Sequence, residues 1–388
     1  MTSTASTSVA ASQVAGTRTA FEHIRRFIQE TPLGTALAFA VLGRLLFSAI
    51  AALSVSHLVL NPLLIRSNDF TENILTPADG WKYALLGTWE RFDTLWYIHL
   101  AQSGYDRPES VVFYPLYPAL IALSHLPPLV AALLISTLSS FFFAWGFQRL
   151  VTLDYPAEVG IRALILYLVF PSGFMLFGGY PESLLLCLVV WSIYFARMGR
   201  VLPTAAVALL AGGAKAVGAL VFLPIAFIAI RRMKWGMLAA GAAALAVPAG
   251  MAYWIHSTGR IPAEQAYALY WRTTMALPWE TLWQGLTAPA SYVGLNMVAL
   301  CLVAALALST AAHVEYAIFA VAAIWLLLTK QTDPVLQSTC RYVLVVFPAF
   351  LYAGRIFRSR LAFALFTACL LVLAIAVFEN FLDWSLIV

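Results

Sequence analysis

Charged residues are scarce in this sequence: Asp, Glu, Lys and Arg make up only 11% of the 388 residues, whereas 62% are hydrophobic. Soluble domains are about 25% charged and about 45–50% apolar. A chain with so few charges cannot cover its apolar surface in water. The composition therefore argues against a water-soluble enzyme and predicts an all-α, multi-pass membrane protein in contact with membrane lipids.

Cysteines are also few. The four (Cys187, Cys301, Cys340 and Cys369) lie in or beside apolar runs without paired spacing, so neither a disulfide framework nor a zinc site is predicted. Neither an Asp-x-Asp nor a His-Glu-x-x-His signature occurs, and we expect no metal and no cofactor. The net charge of +5 is explained by basic cytoplasmic loops, so no nucleic-acid partner is expected.

The chain is predicted to consist of a disordered cytoplasmic tail (1–30) and one transmembrane domain (31–388). A spanning helix needs about 20 apolar residues. Eleven segments qualify as candidates: 35–57, 129–148, 159–178, 182–197, 202–214, 216–230, 235–254, 287–311, 314–329, 338–354 and 361–378. Because 202–214 and 216–230 are short, they could be two short helices or one broken helix.

The distribution of charge predicts the orientation. With the N-terminus inside, the cytoplasmic side holds thirteen basic and five acidic residues, and the external side nine basic and thirteen acidic. Basic loops face the cytoplasm. This orientation requires that the proline-rich segment 112–127 does not cross and leaves two large external loops, 58–128 and 255–286.

The first external loop carries the most informative polar residues. Residues 92–103 are predicted to form an amphipathic helix on the outer surface, ended by Gly104, which would hold Asp93 at the boundary between membrane and water. A sugar carried on a lipid phosphate reacts at that boundary. A carboxylate there can take the proton of an acceptor hydroxyl, although a solvated loop carboxylate is the simpler alternative.

At this loop the sequence resembles a known family. Residues 91–93 (Arg-Phe-Asp), 97–105 (Tyr-Ile-His-Leu-Ala-Gln-Ser-Gly-Tyr) and 113–118 (Phe-Tyr-Pro-Leu-Tyr-Pro) resemble the first luminal loop of the PIG-V mannosyltransferases of GPI-anchor assembly and their bacterial relatives. Phe92 stands where the family has tryptophan. Segments 170–175, 179–184, 212–218 and 340–344 resemble later family motifs in the expected order, with Lys215 in place of an arginine.

The resemblance implies a GT-C glycosyltransferase fold with an external first loop bearing interfacial helices. It also implies transfer of mannose from a polyprenyl-phosphate-mannose donor to a lipid-linked or membrane-associated acceptor. The implied catalytic base is Asp93. Lys215 and Arg341 are predicted to bind the donor phosphate. Sugar or acceptor binding is predicted for Glu182, Tyr180, Arg91, Phe92, Tyr97, Tyr105, Phe113, Tyr114 and Tyr117.

Each assignment has a structural alternative: Glu182 as a helix cap, Lys215 as a snorkelling lysine, Arg341 as an interfacial anchor. For the whole chain, the main alternative is a lipid or sugar transporter, and a weaker one is a non-catalytic assembly subunit. Transporters often contain two related halves, and no repeat is evident here. The compact loops favour a bacterial plasma membrane, with the ER membrane as the alternative.

Overall fold

The computed structural model describes residues 31–309, 313–357 and 359–385, without the side chains of residues 291 and 292. The predicted N-terminal tail, 1–30, lies outside the described residues. Helices account for most of the described chain, and the only strands in it are two of three residues each. The all-α prediction is therefore confirmed.

The α-helices follow one another along the chain, with short 3₁₀ turns between some of them. They are α1 (Pro32–Ser54), α2 (Pro62–Arg66), α3 (Trp81–Leu85), α4 (Asp93–Ser103), α5 (Leu116–Leu123), α6 (Pro128–Val151), α7 (Ala157–Val169), α8 (Glu182–Arg197), α9 (Val201–Ala214), α10 (Phe222–Arg231), α11 (Trp235–Ala242), α12 (Ala246–Ser257), α13 (Ala263–Tyr270), α14 (Pro278–Thr287), α15 (Ala290–Leu308), α16 (Val314–Leu328), α17 (Thr339–Tyr342), α18 (Phe347–Ile356) and α19 (Arg360–Leu382). The strands are β1 (Thr273–Met275) and β2 (Lys330–Thr332).

The ends of the long helices follow from local sequence. Helix α1 begins with Pro32, whose fixed φ suits the first helical position, and the Thr31 hydroxyl accepts a hydrogen bond from the Gly34 amide at 3.0 Å. Ser359 caps α19 in the same way through the Ala362 amide. Both caps satisfy amides that would otherwise lack a partner in an apolar surrounding.

Four helical stretches of the described chain are long and apolar enough to cross a membrane: Pro32–Ser54, Pro128–Val151, Trp235–Ser257 and Arg360–Leu382. A fifth is added if Thr339–Val345 and Phe347–Ile356, which meet at 80°, form one bent span. Shorter apolar helices accompany them. These features fit a multi-pass membrane protein.

Each of the eleven apolar segments contains α-helix. Segment 112–127 contains only the 8-residue helix α5, which is far too short to cross. Lys215, in an extended conformation, separates α9 from the 3₁₀ turn Ala216–Val221 and α10. A Cβ on Gly218 would lie 1.9 Å from the Ala211 carbonyl oxygen, so only glycine allows this close approach.

Charged residues predicted to share the cytoplasmic face do lie together. The Arg197 guanidinium pairs with Asp154 and, at 3.4 Å, with Glu315. A further segment contacts the same residue: the Arg232 side chain donates to the Arg197 carbonyl oxygen at 2.5 Å. The loops following α6, α8 and α10 and the start of α16 therefore meet at one end of the helices.

The two predicted external loops also contact each other. The Trp271 indole donates to the Glu109 carbonyl oxygen at 3.2 Å and packs 5.5 Å from the Phe113 ring. Strand β1, from the second loop, pairs antiparallel with β2, which follows α16, in the register Thr274 to Gln331. This pairing was not predicted from the sequence, and it places Lys330 beside the second loop.

Candidate functional site

Four charged side chains from distant parts of the sequence form one connected cluster. The Arg341 guanidinium lies 2.6 Å from Asp93 Oδ2 through Nη2 and 2.5 Å from Glu182 Oε1 through Nε. The Lys215 ammonium lies 2.7 Å from the same Glu182 oxygen. Asp93 and Arg341 are 248 residues apart in sequence. We call these four residues the charge cluster.

The two carboxylates of the charge cluster are positioned by helix starts. Asp93 is the first residue of α4, after Phe92, whose φ of 48° turns the chain sharply into the helix. Glu182 is the first residue of α8, after Pro181. Backbone amides at a helix N-terminus favour a negative charge, although neither helix has a side-chain capping hydrogen bond.

The two cations are positioned by helix interruptions. Lys215 occupies the break between α9 and the following 3₁₀ turn. Arg341 belongs to the short helix α17, which is fixed on both sides of Cys340. The Cys340 amide donates to Asn296 Oδ1, and the Ser172 hydroxyl donates to the Cys340 carbonyl oxygen, each at 2.7 Å.

Burial makes the charge cluster energetically demanding. The exposed fractions of the side chains are 22% for Asp93, 5% for Glu182, 19% for Lys215 and 7% for Arg341. Buried charges persist only when they are paired and hydrogen-bonded. Glu182 Oε1 receives both cations, whereas its Oε2 is buried without a hydrogen-bond partner among the described residues. One buried oxygen of this carboxylate is thus left without a hydrogen bond in the described part of the chain.

A cavity of about 120 Å³ adjoins the charge cluster. Glu182, Lys215 and Arg341 contribute to its wall. Asp93 does not, but it is ion-paired with Arg341, which does. Apart from Lys330, the rest of the wall is apolar or aromatic. It comprises Tyr97, Val112, Tyr114, Leu185, Ala216, Val217, Tyr267, Ala323, Leu326, Leu327, Lys330, Tyr342, Leu344 and Val345.

Aromatic side chains surround the cations. The Lys215 ammonium is 5.0 Å from the Tyr342 ring centroid, and the Arg341 guanidinium is 4.8 Å from that of Tyr180. Cations are attracted to such ring faces. In the external loops, burial raises the pKa values of Tyr114 and Tyr267 to about 12. Both phenols are therefore protonated at neutral pH and able to donate a hydrogen bond.

Two of the predicted aromatic residues, Tyr97 and Tyr114, line the cavity, and Tyr180 packs under Arg341. Tyr105, Phe113 and Tyr117 pack behind these residues. The Tyr105 hydroxyl donates to the Phe113 carbonyl oxygen at 2.8 Å, and the Tyr117 hydroxyl donates to that of Ala132 at 2.9 Å. The Phe113 ring packs at 5.2 Å from that of Tyr97.

Arg91 and Phe92, predicted to bind sugar or acceptor, lie away from the cavity. The Arg91 side chain is fully buried, and it donates to the carbonyl oxygens of Leu382 and Gly87 at 2.9–3.1 Å. Burial lowers its pKa. Phe92 packs on Trp384 with ring centroids 5.4 Å apart. In this structure both residues anchor the first loop to the C-terminal end of α19.

Helix α4 also differs from the prediction. It spans Asp93–Ser103 and ends at Gly104, whose φ is 70°, as expected. However, Leu95, Trp96, Tyr97 and Leu100 are all buried, so α4 is packed on more than one side and does not lie on an outer surface. The tryptophan packs against Phe113 of its own loop and Trp271 of the second loop.

Besides the aliphatic residues of the cavity wall, sequence reasoning missed three polar or aromatic ones: Tyr267, Lys330 and Tyr342. The Lys330 ammonium lies 2.9 Å from the Tyr267 hydroxyl. One signal was available, because Tyr342 directly follows Arg341 in a segment already singled out. Among the residues that the structure describes, no three His, Cys, Asp or Glu side chains come together as a metal site would require.

Comparison with known proteins assigns no family. No family model matches this chain, and no curated protein matches it.

Proposed function

We propose that this protein is an inverting GT-C glycosyltransferase of the PIG-V type. It would transfer mannose from polyprenyl-phosphate-mannose to a hydroxyl of a lipid-linked or membrane-associated acceptor. The observation that supports this most is the convergence of Asp93, Glu182, Lys215 and Arg341 beside one cavity. A carboxylate can take the proton of an acceptor hydroxyl, and cations can stabilise a departing phosphate.

In the proposed reaction, Asp93 accepts the proton of the acceptor hydroxyl as its oxygen attacks the anomeric carbon of mannose. The bond between that carbon and the phosphate oxygen breaks, and its electron pair leaves with the polyprenyl phosphate. A positioned base contributes typically about 10²–10⁴-fold to such a step. Lys215 and Arg341 stabilise the negative charge that develops on the departing phosphate.

The ion pairs of the charge cluster bear on this mechanism. Arg341 holds Asp93 and Glu182 at the same time, so it connects the proposed base to the proposed sugar-binding carboxylate. A phosphate competes with these carboxylates for the guanidinium, since Arg binds phosphate oxygens in pairs. Donor binding at Arg341 would weaken its hold on Asp93 and free that carboxylate to contact the acceptor hydroxyl.

The apolar part of the cavity fits a lipid-linked donor. Val217, Leu326 and Leu327 line the same cavity as the charged groups, which suits a ligand with both a phosphate and an isoprenoid chain. Glu182 Oε2, which has no partner among the described residues, is the group that we assign to a sugar or acceptor hydroxyl.

We further propose eleven membrane spans, with the N-terminus in the cytoplasm and the charge cluster near the external face of a bacterial plasma membrane. The meeting of Asp154, Arg197 and Glu315 at one end of the helices supports this arrangement. The experiment that tests the function is incubation of the purified protein with labelled polyprenyl-phosphate-mannose and lipid extract, followed by identification of the product. Absence of transfer to any lipid would contradict the proposal.

A further inference from the structure

The cavity holds more positive than negative charge. Three cations line it, Lys215, Lys330 and Arg341, whereas the carboxylates within salt-bridge distance of them are Asp93 and Glu182. Both carboxylates are already engaged, one with Arg341 alone and the other with Arg341 and Lys215. One positive charge is therefore not compensated within this group.

That charge belongs to Lys330. Its ammonium has no carboxylate within salt-bridge distance among the described residues. Its neighbour is Tyr267, whose neutral hydroxyl lies 2.9 Å away and whose ring centroid lies 4.1 Å away. Burial of this unpaired cation lowers its pKa. The Lys330 side chain is half-buried. A cation that is partly removed from water without an anionic partner is destabilised, and an anionic ligand would reduce that cost.

Lys330 is also held in place. It is the first residue of β2, directly after α16, and β2 pairs with β1 of the second external loop in the register Met275 to Lys330. The Ala276 amide extends this ladder by donating to the Thr329 carbonyl oxygen at 2.9 Å. Backbone pairing therefore fixes the start of the lysine side chain at the cavity.

We propose that Lys330 is the cation that first binds the donor phosphate, an inference that rests on the proposed function. Lys215 and Arg341 are already paired with carboxylates, so an anion meets the negative charge of those carboxylates there, whereas Lys330 contacts only a neutral hydroxyl. The phosphate binds Lys330 while the charge cluster is intact, and it then reaches the guanidinium of Arg341 in the same cavity. The ligand class is a lipid phosphate with its apolar chain against Val217 and Leu327.

The test measures binding of farnesyl phosphate, a short isoprenoid phosphate, and of farnesol, its neutral counterpart, to the full chain in lipid nanodiscs. For Lys330→Met we expect the dissociation constant for farnesyl phosphate to rise by about 10- to 100-fold, the effect of losing a hydrogen bond to a charged group. Farnesol binding should not change. Lys330→Arg keeps the charge and should stay within about threefold of wild type.

Two further variants complete the test. Lys82→Met removes an exposed lysine of the first external loop and should bind both probes as wild type does. Tyr267→Phe removes the neutral partner but keeps the ammonium, and it should bind farnesyl phosphate at least as tightly as wild type. If Lys330→Met does not fold, Lys330→Gln, which keeps a hydrogen-bonding group of similar length, replaces it.

Unchanged farnesyl phosphate binding in Lys330→Met would overturn the inference, as would an equal loss of farnesol binding, which indicates a structural role. Failure of wild type to bind farnesyl phosphate would overturn it too. The proposed function fails separately: binding that depends on Lys330 without any mannosyl transfer would support a lipid-phosphate site and contradict the transferase. Mannosyl transfer together with farnesyl phosphate binding that does not depend on Lys330 would support the transferase and contradict the phosphate site at Lys330.

Discussion

Glu182 is the residue on which the charge cluster depends most, because its Oε1 atom accepts from Arg341 at 2.5 Å and from Lys215 at 2.7 Å. Glu182→Gln keeps the size of the side chain and one acceptor but removes the negative charge. Two buried cations would then face only Asp93. Removing one partner of a buried pair costs about 3–5 kcal/mol. Because glutamine can still accept one hydrogen bond, we expect a loss at the lower end, about 3 kcal/mol.

The measurement is the free energy of unfolding in mixed micelles, with intrinsic tryptophan fluorescence as the signal that reports unfolding. Glu264→Gln, at an exposed position of the second external loop, is the matched control and should stay within about 0.5 kcal/mol of wild type. In the double variant Glu182→Gln/Lys215→Met, one of the uncompensated cations is gone as well. Part of the loss should therefore be recovered, with a coupling energy of about 1–3 kcal/mol.

A loss below about 1 kcal/mol for Glu182→Gln, with no coupling to Lys215→Met, would refute this reasoning. It would mean that the ion pairs of the charge cluster contribute little to the free energy of unfolding. Contributions of that size are usual for solvent-exposed salt bridges.

Two further predictions concern the backbone at Lys215 and the orientation of the chain. Gly218→Ala would place a Cβ 1.9 Å from the Ala211 carbonyl oxygen, so it should both destabilise the protein and weaken farnesyl phosphate binding. Gly213→Ala is the control: its added Cβ would lie 3.4 Å from the Leu116 side chain, an ordinary contact, and both assays should give wild-type values. Equal behaviour of the two variants would contradict the close approach. In a cysteine-free background, Ser103→Cys should react with an impermeant thiol reagent from outside intact cells and Met233→Cys should not; the reverse pattern would contradict the orientation.

Much of the local structure was predictable because its causes are local. Gly104 predicts where α4 ends, and Lys215 among glycines predicts an interruption at that position. The four residues of the charge cluster were each singled out from the sequence. Lys215 and Arg341 stood out as charged residues beside or within apolar segments, and the role expected of Asp93 came from the family resemblance. Nothing in the sequence showed that Asp93 and Arg341 would touch.

The remaining features depend on contacts between distant segments. The pairing of β1 with β2 involves three residues on each side, too few to produce an alternating pattern. Lys330 was therefore not singled out from the sequence. Arg91 was misplaced for a similar reason: its partners are backbone carbonyl oxygens, including that of Leu382, 291 residues away. Backbone carbonyls are present everywhere in the sequence and so give no signal.

The central claim is that Asp93 takes the acceptor proton during sugar transfer, and Asp93→Asn tests it most directly. The variant keeps the size of the side chain but removes its charge at neutral pH. With labelled polyprenyl-phosphate-mannose and lipid extract, we expect the transfer rate to fall by at least about 100-fold, with donor binding retained. Asp79→Asn, an exposed carboxylate of the same loop, should transfer at the wild-type rate. Transfer by Asp93→Asn within a few-fold of wild type would contradict the account.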